Sequence, residues 1–343
     1  MSTTTPVPPP PGAPAADDRQ ARTDALKKEP KHITALRRFA MSITALNIVG
    51  YAFLGFEQPW TWPIIAVLTA YVIEIGLERV GAWQEGRDPR YAGGGAKGLM
   101  EFLFPAHITA LAINMLSYPL DHLGTMIFAV AIGVGAKWVL RAPVKGRLRH
   151  FMNPSNLGIA TILVLFPWAS IAPPYQFTEA LSGWADWILP VAILTLGTML
   201  NAKLTGRTWL IVGWLSFFVI QSVARWLIVG NALPGALATM TGTAFILFTN
   251  YMISDPGTTP SKPFPQFAFG AGVAVVYGFY TGSNLPYGLF FATATVCAIR
   301  GAFLWGLYLR DKYGAGLHAE PLSTVTSLPT PGPDRTERAA RAA

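Results

Sequence analysis

The chain has 343 residues, 52% of them hydrophobic and only 13% charged, with a net charge of +8 and a mean hydropathy of +0.38. A single cysteine, Cys297, excludes a disulfide framework, a four-cysteine iron–sulfur site and a Cys-x-x-Cys-His haem attachment. The positive charge would suggest nucleic acid in a soluble chain, but here it collects in short gaps between apolar stretches, where anionic lipid attracts it, so nucleic-acid binding is discounted.

Residues 1–33 hold no apolar run and are rich in Pro, Thr, Ala and Asp; too little surface can be buried there to offset chain entropy, so a disordered tail is expected. The first apolar stretch begins only after residue 33 and is long enough to span a bilayer, so no secretory signal peptide is expected. About 20 apolar residues in helical rise cross the hydrocarbon core. On that measure ten spans are expected, near 34–55, 62–79, 99–117, 122–140, 155–171, 187–201, 208–229, 235–254, 264–281 and 286–308. A second disordered tail is expected over 311–343, which carries Pro321, Pro329, Pro331 and Pro333.

Lys and Arg fall on one side of this arrangement. Alternate gaps hold Arg79, Arg87, Arg90 and Lys97, then Arg141, Lys145, Arg147 and Arg149, then Lys203 and Arg207, then Lys262, with Lys27, Lys28, Lys31, Arg37 and Arg38 before and Arg310 and Lys312 after. The other gaps carry Glu57, Asp121, Glu179 and Asp186. Positive charge resists translocation, so both termini are expected in the cytoplasm of a multi-pass bacterial plasma-membrane protein whose immediate partner is lipid. The fold class expected is an all-α polytopic bundle. Five spans precede the 172–186 loop and five follow it, so the halves, about 34–171 and 187–308, would be inverted in orientation if they are a repeat.

Two segments could carry chemistry, and no catalytic residue or metal site is singled out. In the fourth span Gly133 and Gly135 permit close approach of a backbone or ligand; a basic loop and His150-Phe-Met-Asn153-Pro154-Ser-Asn-Leu-Gly158 follow. Pro154 at a helix start leaves a positive dipole end suited to an anion or a polarised carbonyl, whereas Asn153 can equally cap its own helix. The eighth span holds Thr241-Gly-Thr243-Ala and is followed by Asp255-Pro-Gly-Thr-Thr-Pro260. Small hydroxyl residues there also serve plain helix packing, and Asp255 could simply bond the amides of its turn. Of the ionisable groups within spans, His107 and Arg300 lie deepest; His107 is either a proton relay or a packed neutral imidazole.

The Gly-x-Gly span, the basic loop, the Asn153-Pro154 element and the later Thr-Gly-Thr-Ala-Phe-Ile-Leu-Phe with Asp255-Pro256-Gly-Thr-Thr-Pro resemble, over roughly residues 34–310, the RnfD/NqrB family of membrane electron-transport subunits. Gly55-Phe-Glu-Gln-Pro59, Pro105-Ala-His107, Phe166-Pro-Trp and Ile171-Ala-Pro-Pro-Tyr175 are closest to the branch associated with enediyne biosynthesis. The resemblance implies ten spans, other electron-transport or biosynthetic subunits as partners, and a noncovalent flavin, riboflavin or FMN, near Asn153, with Gly133, Gly135, Thr241, Thr243 and Asp255 as further binding candidates. It does not extend to covalent FMN. The Ser-x-Ala-Thr type motif that carries it is missing from the 172–186 loop, and the Ala-Thr pairs ending at Thr161, Thr239, Thr293 and Thr295 lack the preceding Ser. The alternative function is a small-molecule permease or exporter of the inverted-repeat type.

Overall fold

The computed structural model describes residues 31–144 and 146–314. Most of the two expected tails, and Lys145, therefore lie outside the described residues; the innermost parts of the tails, 31–33 and 311–314, are helical. Among the described residues the chain is built from helices, with two minimal sheets. It runs through α1 (Lys31–Val49), α2 (Trp62–Gln84), α3 (Gly95–Leu116), β1 (Ser117–Tyr118), α4 (Leu123–Val139), β2 (Arg141–Val144), β3 (Arg147–His150), α5 (Pro154–Leu165) and β4 (Ser170–Ile171). After a loop follow α6 (Ile188–Leu200), α7 (Thr208–Val229), α8 (Leu233–Ala238), α9 (Thr243–Leu247), α10 (Pro263–Gly282) and α11 (Gly288–Gly314).

Four helical segments among the described residues are long and apolar enough to cross a membrane: Gly95–Leu116, Gly183–Thr205, Thr208–Val229 and Gly288–Tyr313. Their lipid-like character shows on the outside of the molecule, where Leu194, Leu196, Leu227, Ile228, Ile299 and Phe303 are exposed. Such an outer surface is what a hydrocarbon solvent favours.

Two expected spans are not continuous helices. The stretch 155–171 is helical only as far as Leu165, and its 12 residues rise about 18 Å, short of the bilayer core. The cause is Pro167: it forces the preceding Phe166 into an extended conformation, φ −119° and ψ 107°. The stretch 235–254 is broken as well, because Gly242 takes φ −71° and ψ 140° between a short 3₁₀ turn and α9, and a π turn over Phe248–Met252 follows.

The two parts of the chain repeat one local pattern. Both α1 and α6 widen into a π turn, Gly50–Leu54 and Asn201–Thr205, and both turns stop at a left-handed glycine, Gly55 with φ 73° and Gly206 with φ 64°. A residue with a side chain would be strained at either stop. Three of the helix contacts also correspond, whereas the packing of α2 on α3 has no comparable counterpart between α7 and α9. In the first part α1 packs on α3, α2 on α4 and α4 on α5; in the second α6 packs on α9, α7 on α10 and α10 on α11. Close approach rests on small residues: Ala66, Ala70, Ala106, Ala110 and Ala129 are fully buried, and a side chain at Gly270 would collide with the carbonyl of Leu210. Large rings fill the second part, where Trp214 stacks on Phe245 at 5.6 Å and donates from Nε1 to Thr249 Oγ1 at 2.9 Å.

One end of the bundle gathers the basic residues. Glu78, fully buried at that end of α2, accepts from Arg87 Nη1 at 2.6 Å and from the backbone N and Nε of Arg90 at 2.7 Å each. Arg90 then lies over the Trp138 ring at 5.0 Å, with Arg141 over the same ring at 4.9 Å. The loop 85–94 is thereby tied down to α2 and α4.

Candidate functional site

A cavity of about 460 Å³ opens at this basic end, between α1, α3, the start of α5, the π turn after α6 and the segment Tyr251–Gly257. It draws on both parts of the chain.

The β2–β3 hairpin, with Arg141 opposite His150 and Gly146 at φ 75° in its turn, delivers His150 to the foot of α5. Asn153 then caps that helix. Its Oδ1 accepts from the backbone N of Asn156 at 3.0 Å and from Ser155 Oγ at 3.1 Å, while Nδ2 donates to the carbonyl of Met252 at 2.9 Å. The side chain is almost completely buried, and one amide hydrogen is all it has left to offer a ligand. Asn153 is thus first a clasp between α5 and the π turn Phe248–Met252.

Asp255 stands on the opposite wall. Its Oδ1 accepts from the backbone N of Gly257 at 3.0 Å, and its Oδ2 accepts from Thr258 Oγ1 at 3.0 Å, so the carboxylate organises the Asp-Pro-Gly-Thr turn. Two arginines hold that turn from outside: Arg207 Nη2 donates to the Pro256 carbonyl at 3.2 Å and Arg300 Nη1 to the Thr258 carbonyl at 2.8 Å. The deep Arg300 of the sequence is therefore spent on a carbonyl. Gly257 packs so tightly on His150 that an added Cβ would lie 2.7 Å from Nε2. Burial lowers the proton affinity of His150, the charge of Asp255 opposes that, and Lys137, Arg149 and Arg141 reinforce it, so the ring is neutral near pH 7.

The third wall carries a buried charge pair. Lys137 Nζ of α4 lies 2.8 Å from Glu74 Oε2 of α2, both side chains less than a tenth exposed, and Lys137 lines the cavity. Phe39 and Tyr251 meet edge to face at 5.1 Å on the α1 side. The cavity thus is lined by two aromatic rings set edge to face and by a neutral imidazole, a carboxylate and a paired ammonium. That set suits a planar amphiphile with a polar edge.

The structure sorts the sequence candidates. Asn153 and Asp255 line the cavity. Gly133 lies beneath the first turn of α5, where a Cβ would come 2.7 Å from the Pro154 carbonyl, so it serves close packing of α4 on α5. Gly135 has open space where a Cβ would stand and does not line this cavity. Thr241 is exposed and donates to the Ala238 carbonyl at 2.7 Å; Thr243 is buried at the start of α9 and does not line the cavity. Phe39, Asn201 and Tyr251 escaped the sequence reading. Aromatic rings in apolar stretches look like core. Asn201 did leave a signal, an amide within an apolar helix, and it bonds the carbonyls of Gly197 at 2.9 Å and Asn250 at 2.8 Å.

Compared with known proteins, the chain matches no family model and no curated protein.

Proposed function

We propose that the chain is a ten-span membrane subunit of the RnfD/NqrB type, made of two inverted five-helix halves, that binds a noncovalent flavin in the cavity between them. The observation that carries this is the cavity itself, walled by Asn153 and Lys137 from one part of the chain and by Tyr251 and Asp255 from the other. The repeated π turns and the matching helix contacts support the two-half architecture, and the collected arginines support placing that end, with both termini, in the cytoplasm of a bacterial plasma membrane.

The residues fit an isoalloxazine ring in kind. Phe39 and Tyr251 give it an apolar face, and His150, Lys137 and the remaining Asn153 N–H give its polar edge partners. A bound flavin would supply one- and two-electron chemistry, and these side chains would orient it, keep water from its ring and set the charge near its nitrogens. Electrons would pass to or from further membrane subunits, of electron-transport or of enediyne-biosynthetic type. The test is visible absorbance of the protein purified in mild detergent. Flavin absorbance that is released on denaturation supports the reading; a colourless protein that also fails to take up added riboflavin or FMN overturns it.

A permease reading is favoured by one separate feature, the broken stretch 233–252 with its extended Gly242 and π turn, since discontinuous helices frame the sites of inverted-repeat transporters. Solute uptake into liposomes that survives both Lys137→Met and Asp255→Asn would argue against a path through this cavity.

A further inference from the structure

We propose that the rim of the basic-end cavity is an anion subsite, built by Arg149, Lys137 and the first turn of α5, which takes the phosphate of an ester whose remainder fills the apolar part of the space. The inference rests on the reading of this cavity as a ligand site and deepens it: among flavins, the phosphorylated form is favoured over riboflavin.

The first turn of α5 leaves one backbone amide over. Pro154 has no N–H, Asn156 N donates to Asn153 Oδ1 at 3.0 Å, and Leu157 N donates to the Asn153 carbonyl at 2.9 Å. Among the described residues the N–H of Ser155 has no acceptor, and Ser155 lines the cavity. The positive end of a 12-residue helix thus keeps an unspent donor at the rim.

A helix start of this kind is common and names no ligand by itself. Lys137 supplies a second, independent sign. Its side chain is only 9% exposed and lines the same cavity. The ammonium carries three N–H groups and has one neighbour, Glu74 Oε2 at 2.8 Å, so at least two hydrogens meet no acceptor among the described residues. A buried ammonium left in that state is costly, and the remedy open to it is an acceptor inside the cavity.

Charge decides between a neutral and an anionic occupant. Lys137 is balanced by Glu74, but the Arg149 guanidinium, also in the lining, makes no hydrogen bond or ion pair among the described residues. Asp255 is the one acidic side chain in the lining; both its oxygens accept from its own turn, which Arg207 and Arg300 hold from behind. Burial lowers the proton affinity of Arg207, Asp255 opposes this, and the nearby charges of Arg149 and Arg300 add to the lowering. Three arginines therefore crowd around a single carboxylate, and a phosphate at Arg149 relieves that repulsion. Its several oxygens match a guanidinium fork, a spare ammonium hydrogen and a helix amide together. The second spare hydrogen of Lys137 is left for the edge of a ring.

Beside these groups the lining turns apolar, with Leu36, Phe39, Ile108 and Leu204. A volume of about 460 Å³ belongs to a small-molecule site, and it suits an ester with an apolar body better than a bare inorganic ion. Two sources supply such an ester: a soluble one such as FMN, and the headgroup of an anionic phospholipid.

The experiment uses the full chain in neutral detergent. Quenching of flavin fluorescence gives its affinities for FMN and riboflavin, which differ by the phosphate alone. A charge-assisted contact is worth about tenfold or more, so FMN should bind at least about tenfold tighter, inorganic phosphate should compete with FMN, and Arg149→Gln should bring the two affinities close to equality. Arg149 is exposed and bonded to nothing among the described residues, so this variant does not threaten the fold. Equal affinities in wild type, or a preference for FMN that survives Arg149→Gln, overturn the subsite. A protein that takes up neither flavin overturns the flavin reading, and unfolding midpoints then decide the subsite. Inorganic phosphate is compared with chloride at matched ionic strength, and phosphatidylglycerol with phosphatidylcholine. Either phosphate should raise the midpoint of wild type more than that of Arg149→Gln, and an effect of phosphatidylglycerol alone assigns the phosphate to a headgroup. Stabilisation by neither, or to the same extent in both proteins, overturns the subsite.

Discussion

Asn153 Nδ2 donates to the carbonyl of Met252 at 2.9 Å, a bond that joins residues 99 apart in the chain and fastens the start of α5 to the π turn of Phe248–Met252. The same side chain caps α5 through Oδ1, so one amide performs two structural tasks at the mouth of the cavity.

Those tasks can be separated. Asn153→Ser keeps a capping oxygen and loses the donor to the Met252 carbonyl without burying a charge; Asn153→Ala loses both. A lost cap costs about 1 kcal/mol, and the lost bond to a Met252 carbonyl that still accepts from the backbone N of Asp255 costs about 1 kcal/mol more, so Asn153→Ala should be the more destabilised variant, with a total loss of about 2 kcal/mol. Thermal unfolding in detergent checks the order. If Ser and Ala lower the midpoint equally, the cap contributes nothing.

Gly133 and Gly135 are two residues apart on α4 and should respond in opposite ways. Gly133→Ala puts a methyl 2.7 Å from the Pro154 carbonyl and 3.0 Å from Ile113 Cδ1, and should destabilise by about 1–3 kcal/mol as α5 is pushed off α4. Gly135→Ala meets nothing within 4 Å and should be neutral or gain up to about 1 kcal/mol of helix stability. The unfolding midpoints of the two variants test this contrast directly.

For Glu74 and Lys137 the expectation is non-additivity. Lys137→Met strands a buried carboxylate, and breaking one side of such a pair costs about 3–5 kcal/mol. Combining it with Glu74→Gln removes the charge left behind and should recover most of the loss. A double-mutant cycle with no coupling would show that the pair does not act as a unit.

His150 makes stability depend on pH. Its proton affinity is lowered by burial in the folded chain, so between the lowered value and the ordinary value near 6.5 the unfolded state binds more protons. Stability is therefore full above about pH 6.5 and declines as pH falls through that window, with a slope of at most about 1.4 kcal/mol per pH unit from this one group. Unfolding midpoints of wild type and His150→Gln between neutral and mildly acidic pH should converge as pH drops. Parallel curves would remove His150 as the cause.

Much of the helical layout could be read from apolar length alone. The stretch expected near 99–117 is helical over Gly95–Leu116, 122–140 over Leu123–Val139, and 208–229 begins and ends with α7. Hydropathy failed where a local backbone event ends a helix inside an apolar run. Pro167 stops α5 at Leu165, although its Phe166-Pro167 signal stood in the sequence. Gly242 breaks the next such stretch with no stronger mark than many glycines that sit in intact helices.

The candidate site was half legible. Asn153 and Asp255 stood out because a cap before Pro and an Asp-Pro-Gly turn are local chemistry, written within four residues. The pairing of Glu74 with Lys137 and the meeting of Phe39 with Tyr251 join distant parts of the chain, and no local pattern records which residues face each other.

The sequence by itself determined that this protein is helical and apolar enough for a membrane, and that its basic residues collect between particular helices, because length, hydropathy and charge act residue by residue. Only the tertiary structure decided that Asn153 is a clasp, that Arg300 serves a carbonyl, and that His107 has Thr44 and Tyr71 as the partners of its two nitrogens. Those outcomes depend on which atoms come within about 3 Å of one another, and that is a property of helix packing across the whole chain.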